Sequence, residues 1–184
     1  MERIILASGS PRRKELLELA GIPFEVIVSD AEEHTEKRLP GEIVEELSAI
    51  KAQAVAKDHP GRLVLGSDTV VVKDGKILGK PKDKEEAIEM IRSIQGTFHE
   101  VYTGVTFMRD EWKCSFHEAA RVEVYPMSEE EIMDYVDSGD SMDKAGAYGI
   151  QGMFARHIKG IEGEYQTIVG LPIGRVWQEL KKLV

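Results

Sequence analysis

Strand and helix patterns alternate along the first half of this 184-residue chain, and the alternation limits the fold class. Apolar or β-branched runs near 3–8, 23–29 and 62–72 predict strands. Between them, a helix is predicted from Pro11, and apolar residues recur at helical spacing over 41–57. The sequence therefore predicts an α/β protein.

The second half of the chain predicts strands that follow one another directly. A turn at Lys73-Asp-Gly-Lys76 predicts a hairpin. The predicted strands lie near 98–109, 112–125, 154–161 and 165–169, and the predicted helices near 84–94, 128–136 and 173–183, the first two opened by capping boxes. Consecutive strands favour a mixed sheet over an all-parallel one. No linker or internal repeat divides the chain, so we expect a single domain over residues 1–184.

Composition excludes several classes of function. The net charge of −9 disfavours a nucleic-acid or membrane partner. No apolar run approaches the ~20 residues that span a bilayer, and we expect a cytoplasmic protein. The single Cys114 excludes an internal disulfide and a cysteine-based zinc site. The five histidines show no HxxxH spacing, so any metal would be a hard cation bound by oxygen ligands.

The stretch LASGSPRRKELL, residues 6–17, places cations where a helix disfavours them. Ser10 is the predicted N-cap, and Pro11 fits the first helical position. Arg12 and Arg13 then fall in the first turn, at the positive end of the helix dipole, where a cation costs about 0.3–1 kcal/mol.

An anion at this helix end would resolve the conflict. It would meet unpaired backbone N–H groups, the hydroxyls of Ser8 and Ser10, and the guanidinium groups of Arg12 and Arg13. We interpret the stretch as a phosphate-binding site. The alternative is that both arginines pair with the nearby acidic residues Glu15 and Glu18 on a solvated face.

Two charged residues stand where apolar ones are expected. Lys51 falls within the apolar arc of its predicted helix, so it either extends to the edge of the core or meets an anion. Asp68 interrupts the predicted core strand at 62–72, and an ionised carboxylate there needs partners. Gly66 before it allows a close approach by another group. The alternative for Asp68 is a turn cap just past the end of the strand.

Two weaker features complete a candidate site. Lys80 follows a glycine in the turn GKPKD, and Glu32-Glu33 form a carboxylate pair suited to a divalent cation. Together, the cations, the helix end and the carboxylates describe a site for a metal–polyphosphate substrate. The chain contains neither GxxxxGK[ST] nor GxGxxG.

These residues lie in motifs that resemble those of the Maf nucleoside-triphosphate pyrophosphatases. Seven motifs occur in the family's order between about residues 4 and 174: LASGSPRRKELL, LSAIKA, GSDTVV, GKPKD, VYTGV, DKAGAYGIQG and VGLPI. The resemblance implies one Maf-like domain over 1–184, related to the ITPase-like pyrophosphatases. Its expected fold is a mixed twisted sheet with flanking helices, in two lobes around a central cleft. It also implies hydrolysis of a nucleoside triphosphate to the monophosphate and pyrophosphate, a Mg²⁺ or Mn²⁺ cofactor and, in many members, a homodimer.

Individual roles follow from the matching motifs. Asp68 matches the general base that takes a proton from the attacking water. Glu33 matches the second residue of the family's "DE" pair, which is Glu32-Glu33 here, and with Asp68 it is the candidate metal ligand. The groups that match the family's triphosphate-binding residues are Ser8, Arg12, Arg13, Lys51 and Lys80, and Ser10 joins them as a hydroxyl donor at the helix end.

Three positions indicate the subgroup. Arg12, Thr69 and Gln151 resemble the members that act on dTTP and UTP, whereas the 7-methyl-GTP subgroup has Trp, Gln and Glu there. The Gln151 amide offers a donor and an acceptor that complement O4 and N3–H of uracil or thymine. Glu164 stands where aspartate is common, and we assign it no role.

Two alternatives stay open at this point. The chain could be a regulator of cell division that binds a nucleotide without cleaving it, since the binding residues would be the same. Because an amide can flip, a preference for CTP or a modified pyrimidine nucleotide is also compatible with Gln151.

Overall fold

The structure, a computed structural model, describes residues 2–183 and is of the α/β class. Its strands are β1 Ile4–Leu6, β2 Phe24–Val26, β3 Val64–Lys73, β4 Lys76–Leu78, β5 Phe98–Arg109, β6 Trp112–Val124 and β7 Ile158–Glu162. Its α-helices are α1 Pro11–Leu19, α2 Pro40–Ala56, α3 Lys84–Ile94, α4 Glu129–Asp137, α5 Tyr165–Val169 and α6 Ile173–Leu180. Short 3₁₀ segments cover Ala145–Ala147 and Met153–His157.

The strands form one mixed sheet. Its order is β2-β1-β3-β5-β6-β7, with β4 paired to β3. The short strand β1 pairs in parallel with both β2 and β3, whereas the β3–β4 and β6–β7 pairs are antiparallel. Parallel neighbours need a crossover connection, which α1 supplies between β1 and β2. The prediction of a mixed sheet with flanking helices is confirmed.

The predicted hairpin forms at the end of β3. Lys73 pairs with Lys76, and the two residues between them both have positive φ, 50° at Asp74 and 76° at Gly75. A two-residue turn of this kind matches the right-handed twist of the strands and favours aspartate followed by glycine. The local sequence therefore determines this turn.

The helix ends largely follow the predicted capping. At α4 the Ser128 hydroxyl accepts from Glu131 N, and the Glu131 carboxylate accepts from Ser128 N, which is a complete capping box. At α3 the Asp83 carboxylate accepts from Glu86 N at 2.8 Å. The Glu86 carboxylate, however, accepts from Lys82 N, one residue earlier than a capping box requires.

Two of the predicted strands are wrong in part or in full. The one near 154–161 begins only at Ile158, because the preceding five residues form a 3₁₀ segment. The one at 165–169 is helix α5. The chain turns at Gly163 (φ 110°) and Gly170 (φ 126°), and this tertiary setting overrides the weak β propensity of five residues.

The chain divides into two compact units. The first comprises the residues up to Thr69, Thr103–Glu118 and those from Gly170 on, and the second comprises Val70–Tyr102 and Ala119–Val169. A cluster in the first unit packs α2 against the sheet through Ile5, Ala7, Ala52, Val55 and Val64. In the second unit, the rings of Tyr135, Tyr148 and Phe154 pack together. The single domain over 1–184 stays a prediction.

Candidate active site

A glycine in β3 brings helix α2 onto the strand that carries Asp68. A Cβ at Gly66 would lie 2.2 Å from the carbonyl oxygen of Ser48 in α2, far inside a normal contact. The close approach that the sequence predicts at Gly66 is therefore made by a helix backbone. It places Lys51, one turn beyond Ser48, opposite Asp68.

Lys51 joins two carboxylates in one cluster. Its Nζ lies 2.6 Å from Asp68 Oδ1 and 3.1 Å from Glu33 Oε2. The side chains of Lys51 and Asp68 are largely buried, whereas that of Glu33 is half-exposed. In a setting of low dielectric, removing one partner of such a pair leaves the other charge uncompensated. In the structure, the positive charge of Lys51 is therefore paired with two carboxylates of the same chain. A contact between Lys51 and a triphosphate stays a prediction.

Asp68 lies inside β3, five residues before the strand ends at Lys73. The alternative interpretation, a turn cap past the end of the strand, is therefore wrong. The residue is 8% exposed and therefore buried. A buried carboxylate that one lysine holds in place suits general-base chemistry.

Arg13 turns inward from α1 and binds three groups at once. Its Nε donates to the Gly170 carbonyl at 2.8 Å, its Nη1 to Ser8 Oγ at 3.1 Å and its Nη2 to Thr69 Oγ1 at 3.1 Å. Within residues 2–183 neither Arg12 nor Arg13 forms an ion pair with Glu15 or Glu18. The solvated-face alternative is therefore wrong.

Further hydroxyl groups hold the partners of Arg13. Thr69 Oγ1 lies 2.9 Å from Thr103 Oγ1, and Ser67 Oγ donates to the Gly170 carbonyl at 3.2 Å. Ser67 and Thr103 are fully buried. The Thr69 hydroxyl thus fixes a guanidinium group, and a role of Thr69 in substrate specificity stays a prediction.

The buried position of Arg13 disfavours its positive charge and lowers its pKa. Burial is the largest effect and lowers its pKa, and the neighbouring Arg12 charge adds to this, while Asp68 and Glu33 act in the opposite direction. A guanidinium remains protonated even so, because its ordinary pKa lies far above neutrality. A buried cation of this kind gains from an anionic partner.

The start of α1 offers donors to such a partner. Ser10 is the N-cap residue, yet its hydroxyl makes no capping hydrogen bond. Its own N–H donates to Ser8 Oγ at 3.3 Å. Arg12 is half-buried and makes no side-chain hydrogen bond or ion pair with the residues that the structure describes. A helix end with uncapped N–H groups and an unpaired guanidinium can bind an anion.

Lys80 and Gln151 belong to the second compact unit. Both are exposed, and neither side chain forms a hydrogen bond or ion pair in the described part of the chain. Their participation in the site stays a prediction. The first unit alone brings together the other predicted residues, which are Ser8, Ser10, Arg12, Arg13, Glu33, Lys51, Asp68 and Thr69.

Sequence reasoning missed three contributors to the site, namely Gly170, Ser67 and Thr103. Gly170 had a usable signal, since it is the glycine of the VGLPI motif. Its φ is 126°, and a Cβ there would lie 3.5 Å from Thr69 Oγ1 and 3.7 Å from Arg13 Nε. The glycine lets its own carbonyl face Arg13. Ser67 and Thr103 also lie in quoted motifs, GSDTVV and VYTGV, but a buried hydroxyl in a strand is common and does not by itself indicate a role.

The carboxylates of Glu33 and Asp68 fit a divalent cation shared with a substrate. Both place an oxygen within 3.1 Å of the same nitrogen, so they converge on one point. Among residues 2–183, no group of three or more His, Cys, Asp or Glu side chains could hold a metal ion. Two carboxylates suit Mg²⁺, which takes one or two from the protein and the remaining ligands from phosphates and water.

Across the described residues, no helix combines the length and the apolar composition needed to cross a bilayer. The longest one, α2, has 17 residues and carries Lys51 and several glutamates.

Comparisons with known proteins identify the family of this chain. The model of the family described as Maf-like protein matches residues 3–183. A curated relative from Lachnoclostridium phytofermentans, named dTTP/UTP pyrophosphatase, is 52% identical, and the match covers 99% of this chain and 95% of the relative. A relative of the same name from Bacillus cytotoxicus is 51% identical, with 99% and 96% covered.

A solved structure supports the fold independently. The Ham1 protein of Staphylococcus aureus superposes with a TM-score of 0.57 at 16% identity, and the match covers the whole of both chains. At that identity the likeness shows a shared fold alone. Because one family model spans nearly all residues and relatives above 50% identity match it from end to end, the chain belongs to the Maf-like protein family.

Proposed function

We propose that this protein is a nucleoside-triphosphate pyrophosphatase that hydrolyses dTTP and UTP to the monophosphate and pyrophosphate. One observation carries the proposal: of two consecutive residues of β3, Asp68 is the candidate base and Thr69 binds the candidate phosphate-binding group Arg13. Asp68 is held by Lys51 at 2.6 Å, and Thr69 holds Arg13 at 3.1 Å. The curated relatives that carry the name dTTP/UTP pyrophosphatase support this substrate choice.

The triphosphate would bind at the start of α1. The uncapped N–H groups, the Ser8 and Ser10 residues and the unpaired Arg12 all belong to the start of this helix or to the residues just before it. Arg13 adds a second guanidinium whose position is fixed by three hydrogen bonds. We assign Lys51 and Lys80 to the remaining phosphate charge. A preorganised set of cations and donors stabilises the charge that develops during phosphoryl transfer.

Asp68 would act as the general base. Its carboxylate takes a proton from a water molecule, whose oxygen attacks the α-phosphorus. The bond between the α-phosphorus and the bridging oxygen breaks, and pyrophosphate leaves with that oxygen and its electron pair. Lys51 Nζ holds this carboxylate in place at 2.6 Å from its Oδ1.

A divalent cation, Mg²⁺ or Mn²⁺, would be held by Asp68 and Glu33. Once bound, it supplies positive charge that offsets part of the charge on the triphosphate. The contribution of the chain would be to hold both carboxylates close to one point, where each lies within 3.1 Å of Lys51 Nζ. We also propose a cytoplasmic location, no nucleic-acid or membrane partner, and a homodimer, on the basis of charge and family membership.

Release of pyrophosphate from a panel of nucleotides tests the proposal. With Mg²⁺ or Mn²⁺ present, we expect kcat/KM for dTTP and UTP at least about tenfold above that for CTP, GTP and 7-methyl-GTP, because a hydrogen-bonding site discriminates strongly between base edges. The same assay with a chelator in place of metal is the control and should show little release.

Three outcomes would contradict the proposal in different ways. Activity confined to 7-methyl-GTP would contradict the substrate choice and leave the chemistry intact. A preference for CTP would contradict the choice of dTTP and UTP as substrates and would favour the flipped orientation of the Gln151 amide. Tight binding of dTTP or UTP without release of pyrophosphate would favour a nucleotide-binding regulator of cell division.

A further inference from the structure

The residue predicted to recognise the base, Gln151, lies on a short turn in the second compact unit. Gly152 N donates to the Gly149 carbonyl at 3.2 Å, which closes the turn. Within it Ile150 is buried and Gln151 is exposed. The turn therefore has one side chain anchored in the protein and the next directed outward.

Both ends of this turn press against one ion pair. A Cβ at Gly149 would lie 2.7 Å from Lys144 Cε, and a Cβ at Gly152 would lie 2.4 Å from Asp140 Oδ2. Real Cβ atoms do not approach other heavy atoms so closely. The two glycines thus let the backbone on either side of Gln151 lie directly on Asp140 and Lys144.

The ammonium group of Lys144 donates hydrogen bonds to three acceptors in this arrangement. Its Nζ donates to the Asp140 carbonyl at 2.7 Å, to Asp140 Oδ1 at 2.9 Å and to Asp143 Oδ1 at 2.7 Å. Burial lowers its pKa, but the hydrogen bonds and charges of Asp143 and Asp140 outweigh burial, and the net effect raises the pKa. An ammonium group with three acceptors holds its neighbours in a defined place.

The hydroxyl of Tyr135 connects the ion pair to the turn. It donates to Asp140 Oδ2 at 3.4 Å and accepts from Gly149 N at 3.4 Å. Both bonds are long, so each is weak. The ring itself is fully buried and packs edge-on against Phe154, at 4.9 Å between centroids, which keeps the hydroxyl in position.

We propose that Asp140, Lys144 and Tyr135 are positioning residues that orient the Gln151 turn and thereby set the selectivity for uracil and thymine. This inference rests on the proposed function. The amide of Gln151 recognises a base through directional hydrogen bonds, which fail when the group is displaced. A displacement of about 1 Å by a distant change can cost a large factor in rate. Selectivity therefore depends on the support beneath the turn.

Tyr135→Phe tests this support with the least change in shape, since only the bridging hydroxyl is lost. We expect KM for UTP to rise about three- to tenfold with kcat within about twofold, because a base contact made equally in the ground and transition states affects KM alone. Values for CTP should hardly change, so the UTP/CTP ratio of kcat/KM should fall. Asp140→Asn, which removes the charge that Lys144 and Tyr135 share, should lower the ratio in the same way.

Tyr148→Phe is the matched control. It removes a buried hydroxyl from the same aromatic cluster. This hydroxyl forms its hydrogen bond with His99 Nε2, at 2.6 Å, and not with Asp140 or Lys144. We expect Tyr148→Phe to lower the melting temperature and to keep the UTP/CTP ratio within about twofold of the unaltered protein, because removal of a buried partner costs stability.

Several results would overturn the inference. One is an unchanged UTP/CTP ratio in both Tyr135→Phe and Asp140→Asn while Gln151→Ala lowers it. Another is an equal loss of the ratio in Tyr148→Phe, which would indicate general loosening of the cluster. Failure of the proposed function would be recognised by a different result, because the unaltered protein would then release no pyrophosphate from UTP. That result would also contradict the inference about the Gln151 turn.

Discussion

Asp68→Asn is expected to lower kcat for UTP by about 10²–10⁴-fold, the usual contribution of a positioned general base. Asparagine keeps the shape of the side chain and cannot take a proton from water. The change also leaves Lys51 with Glu33 as its remaining carboxylate partner. We expect the effect on kcat to exceed the effect on KM, because proton transfer takes place only in the transition state.

Asp74→Asn provides a matched control for this substitution. Asp74 also pairs with a lysine, Lys73 at 3.1 Å, but it is exposed in the hairpin turn after β3. Asparagine tolerates the positive φ of this position, so the variant should fold normally. Near-normal kcat in Asp68→Asn, or an equal loss in Asp74→Asn, would contradict the role of Asp68 as the base.

Arg13→Lys should lower kcat/KM for UTP by about 10- to 100-fold, because a hydrogen bond to a charged group is worth about 1.5–3 kcal/mol. The lysine keeps the positive charge, but one ammonium cannot reproduce the planar guanidinium that reaches Ser8, Thr69 and Gly170 together. The loss should appear with every nucleotide in the panel, since Arg13 is assigned to the phosphates.

The control for Arg13 is Arg175→Lys, a change in another arginine that binds more than one group. Arg175 donates to Glu179 at 2.8 Å and to Glu118 at 3.2 Å and touches none of the site residues. Its replacement should leave kcat/KM within about twofold, because neither Glu179 nor Glu118 is assigned to the site. A base-dependent loss in Arg13→Lys would contradict its assignment to the phosphates.

Local patterns in the sequence sufficed for much of the fold. The N-terminal boundaries of α1, α3 and α4 follow from Pro11, Asp83 and Ser128, because capping is decided within one turn of the chain. The β3–β4 hairpin follows from Asp74-Gly75 for the same reason. Segment 165–169 was predicted wrongly because its neighbours in space, and not its own residues, decide between strand and helix.

The candidate site was predictable in its residue types and not in its contacts. The position of Lys51 on an apolar arc indicated a buried charge, yet nothing local could identify Glu33 and Asp68 as its partners. The bond from Arg13 to Gly170 spans 157 residues of sequence. Such pairings depend on which strands are neighbours in the sheet. The local pattern of one sequence does not indicate which distant residues will be in contact.

Hydrolysis of UTP in ¹⁸O-labelled water tests the central claim most directly. The arrangement of Asp68 and the cations at the start of α1 predicts equal amounts of UMP and pyrophosphate, with the label in the phosphate of UMP, because water attacks the α-phosphorus. Label in pyrophosphate would place the attack on the β-phosphorus, and release of UDP with phosphate would place it on the γ-phosphorus. Either result would contradict the proposed reaction.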